Sequence, residues 1–190
     1  MLAEKGPSTG NIIAVWAVVI IPFVALLVAI PASFLWGLGP SWIDAVMAVT
    51  LYVVTSAGIG TGFHRYFTHA AFKAVPRLRV ALGIAGSLAV QGNIVQWVAD
   101  HRRHHRYADE EDDPHSPWRF GESRRALIKG FVHAHVGWLF FRELSNCERF
   151  APDLLKDKTI MKVDRAFPLI VFVSLALPAI VGGLATWSWH

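Results

Sequence analysis

The 190 residues predict an all-α, multi-span helical membrane protein whose aqueous side carries amphipathic helices with clustered histidines. Three observations carry that expectation. Hydrophobic residues make up 54% of the chain, above the roughly 45–50% of soluble domains, and mean hydropathy is +0.41. Ile12 to Ile30 is a run of 19 residues without a charge, about 28 Å as a helix, which matches the hydrocarbon thickness of a bilayer. Five of the nine histidines fall in two tight groups, His64 and His69, then His101, His104 and His105, next to apolar segments.

The first ten residues are small and polar, with Glu4 and Lys5 as the only charges, and read as a loose tail. The run 12–30 is too long for a signal peptide, lacks a strong basic flank, and is expected to stay in the mature protein. Pro22 within it implies a kink. Pro31 to Ser41, rich in Pro and Gly and flanked by Trp36 and Trp42, reads as a tight turn with interfacial aromatic anchors. A second span is expected at about 42–63, with Asp44 at the interface, and the two spans form an antiparallel hairpin. Gly58, Gly60 and Gly62 permit either close helix packing or a distorted helix end beside the first histidines.

The region 64–166 has another character, because 17 of the 18 Lys and Arg residues lie between His64 and Arg165. The positive-inside rule places it in the cytoplasm. Leu78 to Val98, interrupted by Gly83, Gly86, Gly92, Gln91, Asn93 and Gln96, reads as one or two helices lying against the membrane face. Ala126 to Phe141 is a further semi-apolar helix, and Pro152 to Arg165 leads into a third span at about 167–187. The net charge of +4 and the isoelectric point near 9.5, with eight Trp, point to an anionic lipid surface. No nucleic-acid recognition module is visible, and nucleic acid is excluded as a partner. Cys147, the single cysteine, rules out an intramolecular disulfide and reads as an inert thiol.

His101, His104 and His105, at i, i+3 and i+4, lie on one face of a helix and suit a metal. His64 and His69, five apart, do not share an α-helical face. They suit either two different metals or a helix end that departs from ideal geometry. Neutral imidazole is the commonest ligand for borderline transition metals. A zinc hydrolase would place a glutamate base between its helical ligands, whereas Arg102 and Arg103 stand there, expected to pair with carboxylates among Asp100 and Asp109 to Asp113 and so to orient the ligands.

Four segments together resemble the membrane fatty acyl desaturases of the delta-9 acyl-CoA type: Gly62-Phe63-His64-Arg65-Tyr66-Phe67-Thr68-His69, Trp97 to His105, Asp112-Asp113-Pro114-His115-Ser116-Pro117, and His135-Val136-Gly137-Trp138. The likeness covers roughly Trp42 to Arg142. It implies an iron- and oxygen-dependent oxidoreductase with four spans and a cytoplasmic cap around a non-haem centre of two Fe ions. Such an enzyme uses O2 and two electrons from an external donor of ferredoxin, cytochrome b5 or flavin-reductase type to remove two hydrogens from a long-chain acyl thioester or acyl lipid. By the same resemblance His64, His69, His101, His104 and His105 match iron ligands, while Trp97, Asp100, Arg103, Asp113 and His115 match positions beside the substrate or behind the ligands. The expected home is a bilayer, with a bacterial cell membrane favoured and endoplasmic reticulum the eukaryotic equivalent.

The third histidine box of that family, H-x2-H-H after a fourth span, has no counterpart here. His190 stands alone, and His115, His133 and His135 lack the spacing. Five donors do not complete a two-iron site, so the chain is expected to be an N-terminal portion of a longer enzyme with little or no catalysis by itself. Gly92, Asn93 and Ala99 stand where animal acyl-CoA enzymes carry CoA-binding residues, and Glu143 follows Arg142, which leaves CoA, carrier protein and intact lipid open as acyl carriers. A histidine-box alkane or acyl hydroxylase and a non-catalytic membrane fragment are the alternatives.

Overall fold

The computed structural model describes residues 8–36, 39, 41–108, 110, 113, 116–140 and 144–186. The regular elements among them are helical. The first helix, α1 (Thr9–Leu35), runs straight through Pro31 and ends five residues beyond the expected boundary. Membrane helices tolerate an interior proline, because the carbonyl it frees can be satisfied by local adjustment or other groups. The turn expected over Pro31 to Ser41 therefore starts no earlier than Trp36, and Gly37, Leu38 and Pro40 within it lie outside the described residues.

Helix α2 (Trp42–Ala57) opens with a capping box. The Asp44 carboxylate accepts the Ser41 N–H at 2.8 Å, and Asp44 N–H is directed to Ser41 Oγ at 3.3 Å, so two donors that the helix start would leave open are satisfied. Beyond Ala57 the same helix continues without a break as a π-helix over Gly58–Thr68. The expected end near Phe63 is thus passed by five residues, and His64 rides on the span's last turn rather than in a loop. Together Trp42–Thr68 is a continuous apolar helix of 27 residues.

Two helices follow where one or two were expected: α3 (Pro76–Ser87) and α4 (Ile94–Arg106). Helix α3 packs on α2 and the π-helix through glycines on both sides. A Cβ on Gly58 would stand 2.2 Å from the Ala85 carbonyl carbon, and one on Gly86 would stand 2.3 Å from the Phe63 ring. Only residues without a side chain allow the two backbones to come this close.

Helix α5 (Arg124–His135) and a 3-10 turn, Gly137–Phe140, form an outlying arm. Its end meets α1, with the Phe140 and Trp16 rings 4.4 Å apart. Three short helices, α6 (Cys147–Phe150), α7 (Pro152–Lys156) and α8 (Lys158–Arg165), lead into α9 (Phe167–Thr186). Among the described residues, three helices are long and apolar enough to cross a membrane: Ile12–Leu35, Trp42–Thr68 and Phe167–Ala185. Trp187, within the third expected span, lies outside the described residues.

The hydrophobic core of the described residues lies mostly outside these spans and meets them at the π-helical end of the second. It consists of Phe63, Phe67, Ile94, Val95, Val98, Ala99, Phe150, Ala151, Leu154, Ile160 and Val163, drawn from the π-helix, α4 and α6 to α8. Three carboxylates, one in α7, one at the junction of α7 and α8 and one in α8, tie this cap together. Asp153 pairs with Arg102, Asp157 pairs with Arg79 of α3, and Asp164 accepts Val95 N–H at 2.8 Å and Asn93 Nδ2 at 2.9 Å. Asn93 makes no side-chain cap of its own, so Asp164 caps α4 from another helix and places a negative charge at its N-terminus.

Candidate metal centre

An α-helix separates residues i and i+5 by about 140° around its axis. The π-helix removes that separation. Its hydrogen bonds run i to i+5: His69 N–H donates to the His64 carbonyl at 3.2 Å, and Thr68 Oγ1 donates to the Phe63 carbonyl at 2.9 Å. One turn is therefore wider than in an α-helix, and His64 and His69 stand on the same face with their rings 4.7 Å apart. Of the two alternatives for this pair, the geometry is that of a distorted helix end at a shared site.

Helix α4 supplies the opposite side with His101 and His105 one turn apart. The four rings form a closed quadrilateral. Its sides are 4.7 Å (His64–His69), 4.7 Å (His69–His105), 4.6 Å (His105–His101) and 4.8 Å (His101–His64). Its diagonals are 6.1 Å (His64–His105) and 6.0 Å (His69–His101). One ligand nitrogen from each ring lies within 4.8 Å of the others, and the Nε2 atoms of His101 and His105 are 3.0 Å apart.

The electrostatics favour neutral imidazole. Burial, followed by the charges of His105, His64, His104 and His69, pushes the His101 ring down to about 3. Burial, then His69, His104 and His64, also lowers His105. A ring that resists protonation keeps a lone pair for a metal. Four convergent imidazole nitrogens with no carboxylate among them fit a borderline first-row ion rather than calcium or magnesium, which take oxygen ligands.

His104 stands beside this group, its ring 6.0 Å from His101 and 5.6 Å from His105. Its Nδ1 is 2.8 Å from the carboxylate of Asp113, which is wholly buried. A carboxylate on the second nitrogen fixes a ring's tautomer and orientation.

Trp97 stacks on His101, with centroids 4.8 Å apart and planes at 25°. Phe63 meets the same indole edge-on at 5.5 Å, so a rigid aromatic floor lies under the cluster. Asp100 faces away from the rings. Its Oδ1 accepts Gln96 Nε2 at 3.0 Å and Ser145 N–H at 3.1 Å, which binds α4 to the segment before α6. Burial raises this carboxyl, against the opposing pull of Ser145, Gln96 and Arg103. Arg103 is 3% exposed.

Arg102, expected to pair with a carboxylate among Asp100 and Asp109 to Asp113, has its ion pair with a more distant group. Its guanidinium meets Asp153, 51 residues away, with contacts of 2.6 and 3.0 Å. Nothing in the local spacing pointed to that partner. His115, together with Asp109, Glu111, Asp112 and Pro114, lies outside the described residues.

A membrane-embedded helical scaffold with a polyhistidine cluster on its cap defines the class: a membrane metalloprotein candidate with an all-nitrogen site. The particular family follows from comparison with known proteins, since residues 40–190 match the model of the fatty acid desaturase family, and the chain belongs to that family. It is 39% identical over 172 residues to a hex-5-enoyl-[acyl-carrier protein] acetylenase of Moorena producens, covering 90% of this chain and 53% of that protein. It is 33% identical over 168 residues to an sn-1 stearoyl-lipid 9-desaturase of Anabaena variabilis, covering 87% and 55%. An acyl-CoA Delta(11) desaturase of Spodoptera littoralis is 31% identical over 160 residues, covering 78% and 44%. The chain thus spans about half the length of the curated relatives it matches.

Proposed function

We propose that the chain supplies His64, His69, His101, His104 and His105 to a non-haem di-iron centre of an oxidoreductase that introduces a double bond into a long-chain acyl group. The observation that carries this reading is the closed quadrilateral of four imidazoles, whose ligand atoms lie within 4.8 Å of one another. His64, His69, His101 and His105 would hold one iron. His104, oriented by Asp113, would serve the second together with donors outside the five.

When bound, the iron pair would supply the activation of O2. The overall change balances as an acyl –CH2–CH2– unit, O2, two electrons and two protons giving –CH=CH– and two waters. The chain's own residues do the positioning. The π-helix sets His64 and His69 in register, Trp97 and Phe63 form an apolar floor that excludes water, and burial keeps His101 unprotonated. Two protons and two electrons must arrive from outside, the electrons from a donor of ferredoxin, cytochrome b5 or flavin-reductase type.

The basic residues from His64 to Arg165 support a cytoplasmic cap on a multi-pass membrane protein. The relatives act, by their names, on an acyl-carrier protein substrate, a lipid and an acyl-CoA. The substrate class proposed here is accordingly an acyl chain on any of these three carriers.

The test is to express the full-length gene in cells fed a saturated fatty acid and to analyse the lipids. New unsaturated acids, absent when His101 is changed to Ala, support the reading. Hydroxy acids without new double bonds would replace it with acyl hydroxylation.

A further inference from the structure

Arg102 sits inside the second histidine group, between His101 and His104, yet its side chain leaves the rings and enters the cap. An arginine carries five N–H donors in a rigid planar fork, and here every one is used. Nε donates to the Thr68 carbonyl at 3.2 Å, and Nη2 donates to the Phe67 carbonyl at 2.7 Å. Nη1 donates to the Phe150 carbonyl at 2.9 Å. The fourth and fifth bonds run from Nη1 and Nη2 to the two carboxylate oxygens of Asp153, at 2.6 and 3.0 Å.

Three of these acceptors are carbonyls in the last turns of helices, groups that helix geometry leaves without an intrahelical partner. Phe67 and Thr68 close the π-helix immediately before His69. Phe150 closes α6, and Asp153 belongs to α7. A single guanidinium therefore joins the helix that bears His101 and His105 to the end of the helix that bears His64 and His69, and braces both against α6 and α7.

We infer that Arg102 is a positioning residue for the histidine cluster: its five-bond fork sets the register between the π-helix end and α4, and thereby the closure of the quadrilateral. The inference rests on the reading that the four imidazoles hold a metal. Lysine cannot replace it, because an ammonium has three donors on a flexible stem and no planar fork. Arg79, paired with Asp157 between α3 and the start of α8, is the matching link, an ion pair with both partners outside the histidine-bearing helices.

The test compares wild type with Arg102→Lys, Asp153→Asn and Arg79→Lys in detergent, titrating each 190-residue chain with cobalt(II) and recording its visible d–d absorption. Backbone amide exchange at His69, Ala70 and Ala71 is measured on the metal-free chains. Arg102→Lys is expected to weaken cobalt binding about 10- to 100-fold, the usual cost of losing a group that orients ligands, to alter the absorption band, and to speed exchange at the three amides. Asp153→Asn, which keeps the three carbonyl bonds, should show the same changes to a smaller degree, and it decides the matter if the lysine variant fails to fold. Arg79→Lys should lower the melting temperature while leaving affinity and band unchanged.

Unchanged cobalt affinity, band and amide exchange in Arg102→Lys would overturn the inference, as would equal effects from Arg79→Lys. If wild type binds no cobalt, the metal reading fails. The amide exchange then decides the positioning role alone, with faster exchange upholding it and unchanged exchange refuting it.

Discussion

Phe34 in α1 and Phe63 in the π-helix are the same residue type on two long apolar helices, yet Phe34 is 75% exposed and Phe63 is wholly buried. The contrast extends to the regions around them. Leu27, Val49 and Leu169 of the three long helices face outward, into what would be lipid. Ile94, Val98 and Ile160 of the cap have no exposed surface at all. Apolar side chains on the spans are satisfied by hydrocarbon and need no protein partner, so they fix depth in the bilayer but little else. In the cap the same side chains are removed from water by each other, which fixes relative position to within a side chain's width. The histidines are anchored on the second kind of region, and that is why they can converge.

If this division holds, truncations of equal chemistry must differ between the two regions. Phe63→Ala, which empties a filled site, should cost about 3–5 kcal/mol, and Leu27→Ala under about 1 kcal/mol, read as melting shifts in one detergent. Glycines sharpen the division at the place where span meets cap. Gly58→Ala puts a Cβ 2.2 Å from the Ala85 and Gly86 backbone and should cost about 1–3 kcal/mol as an overpacked contact. Gly60→Ala meets nothing within 4 Å and should stabilise by up to about 1 kcal/mol through helix propensity.

A smaller effect is expected from the ion pair on the cap. The hydrogen bonds from Arg102 hold the Asp153 carboxyl below its ordinary 3.8. A carboxyl whose folded value is depressed stabilises the fold fully above the unfolded value and loses that contribution as pH falls through the folded one. Asp153 is 55% exposed, so the difference between wild type and Asp153→Asn should be under about 1 kcal/mol at pH 7. It should shrink below pH 3.8 and vanish in stronger acid, as followed by melting across that range. Chemical labelling reports closure of the cap through the reactivity of its cysteine. Burial, with Asp100 and Asp164 adding to it, pushes the Cys147 thiol from 9.0 up to about 11. Iodoacetamide at pH 8 should accordingly find about 100-fold less thiolate than on a cysteine at 9.0, with the difference lost in denaturant.

The parts of the fold legible in the sequence are those governed by composition and short spacing. The three long apolar helices, the interruption between α3 and α4, and the grouping of His101 with His105 all follow from hydropathy and the 3.6-residue period. What local pattern could not supply is of two kinds. His64 and His69 share a face only because the helix widens to i to i+5 bonding at Gly58–Thr68, and the α-helical period places them about 140° apart. The glycine triplet was the available signal, since Gly58 and Gly62 are where α3 approaches. The other kind is long-range pairing. Arg102 with Asp153, and Asp164 with the start of α4, join residues 51 and 69 positions apart, a separation that no window of sequence contains.

The central claim is that the π-helix end and α4 build one metal site rather than two. The most direct measurement is cobalt(II) or iron per chain, determined on purified wild type, His69→Ala and His101→Ala under identical loading. Both variants should lose binding to the same extent, because each removes one corner of the same quadrilateral. A His69→Ala chain that keeps the wild-type metal content while His101→Ala loses it would contradict the account.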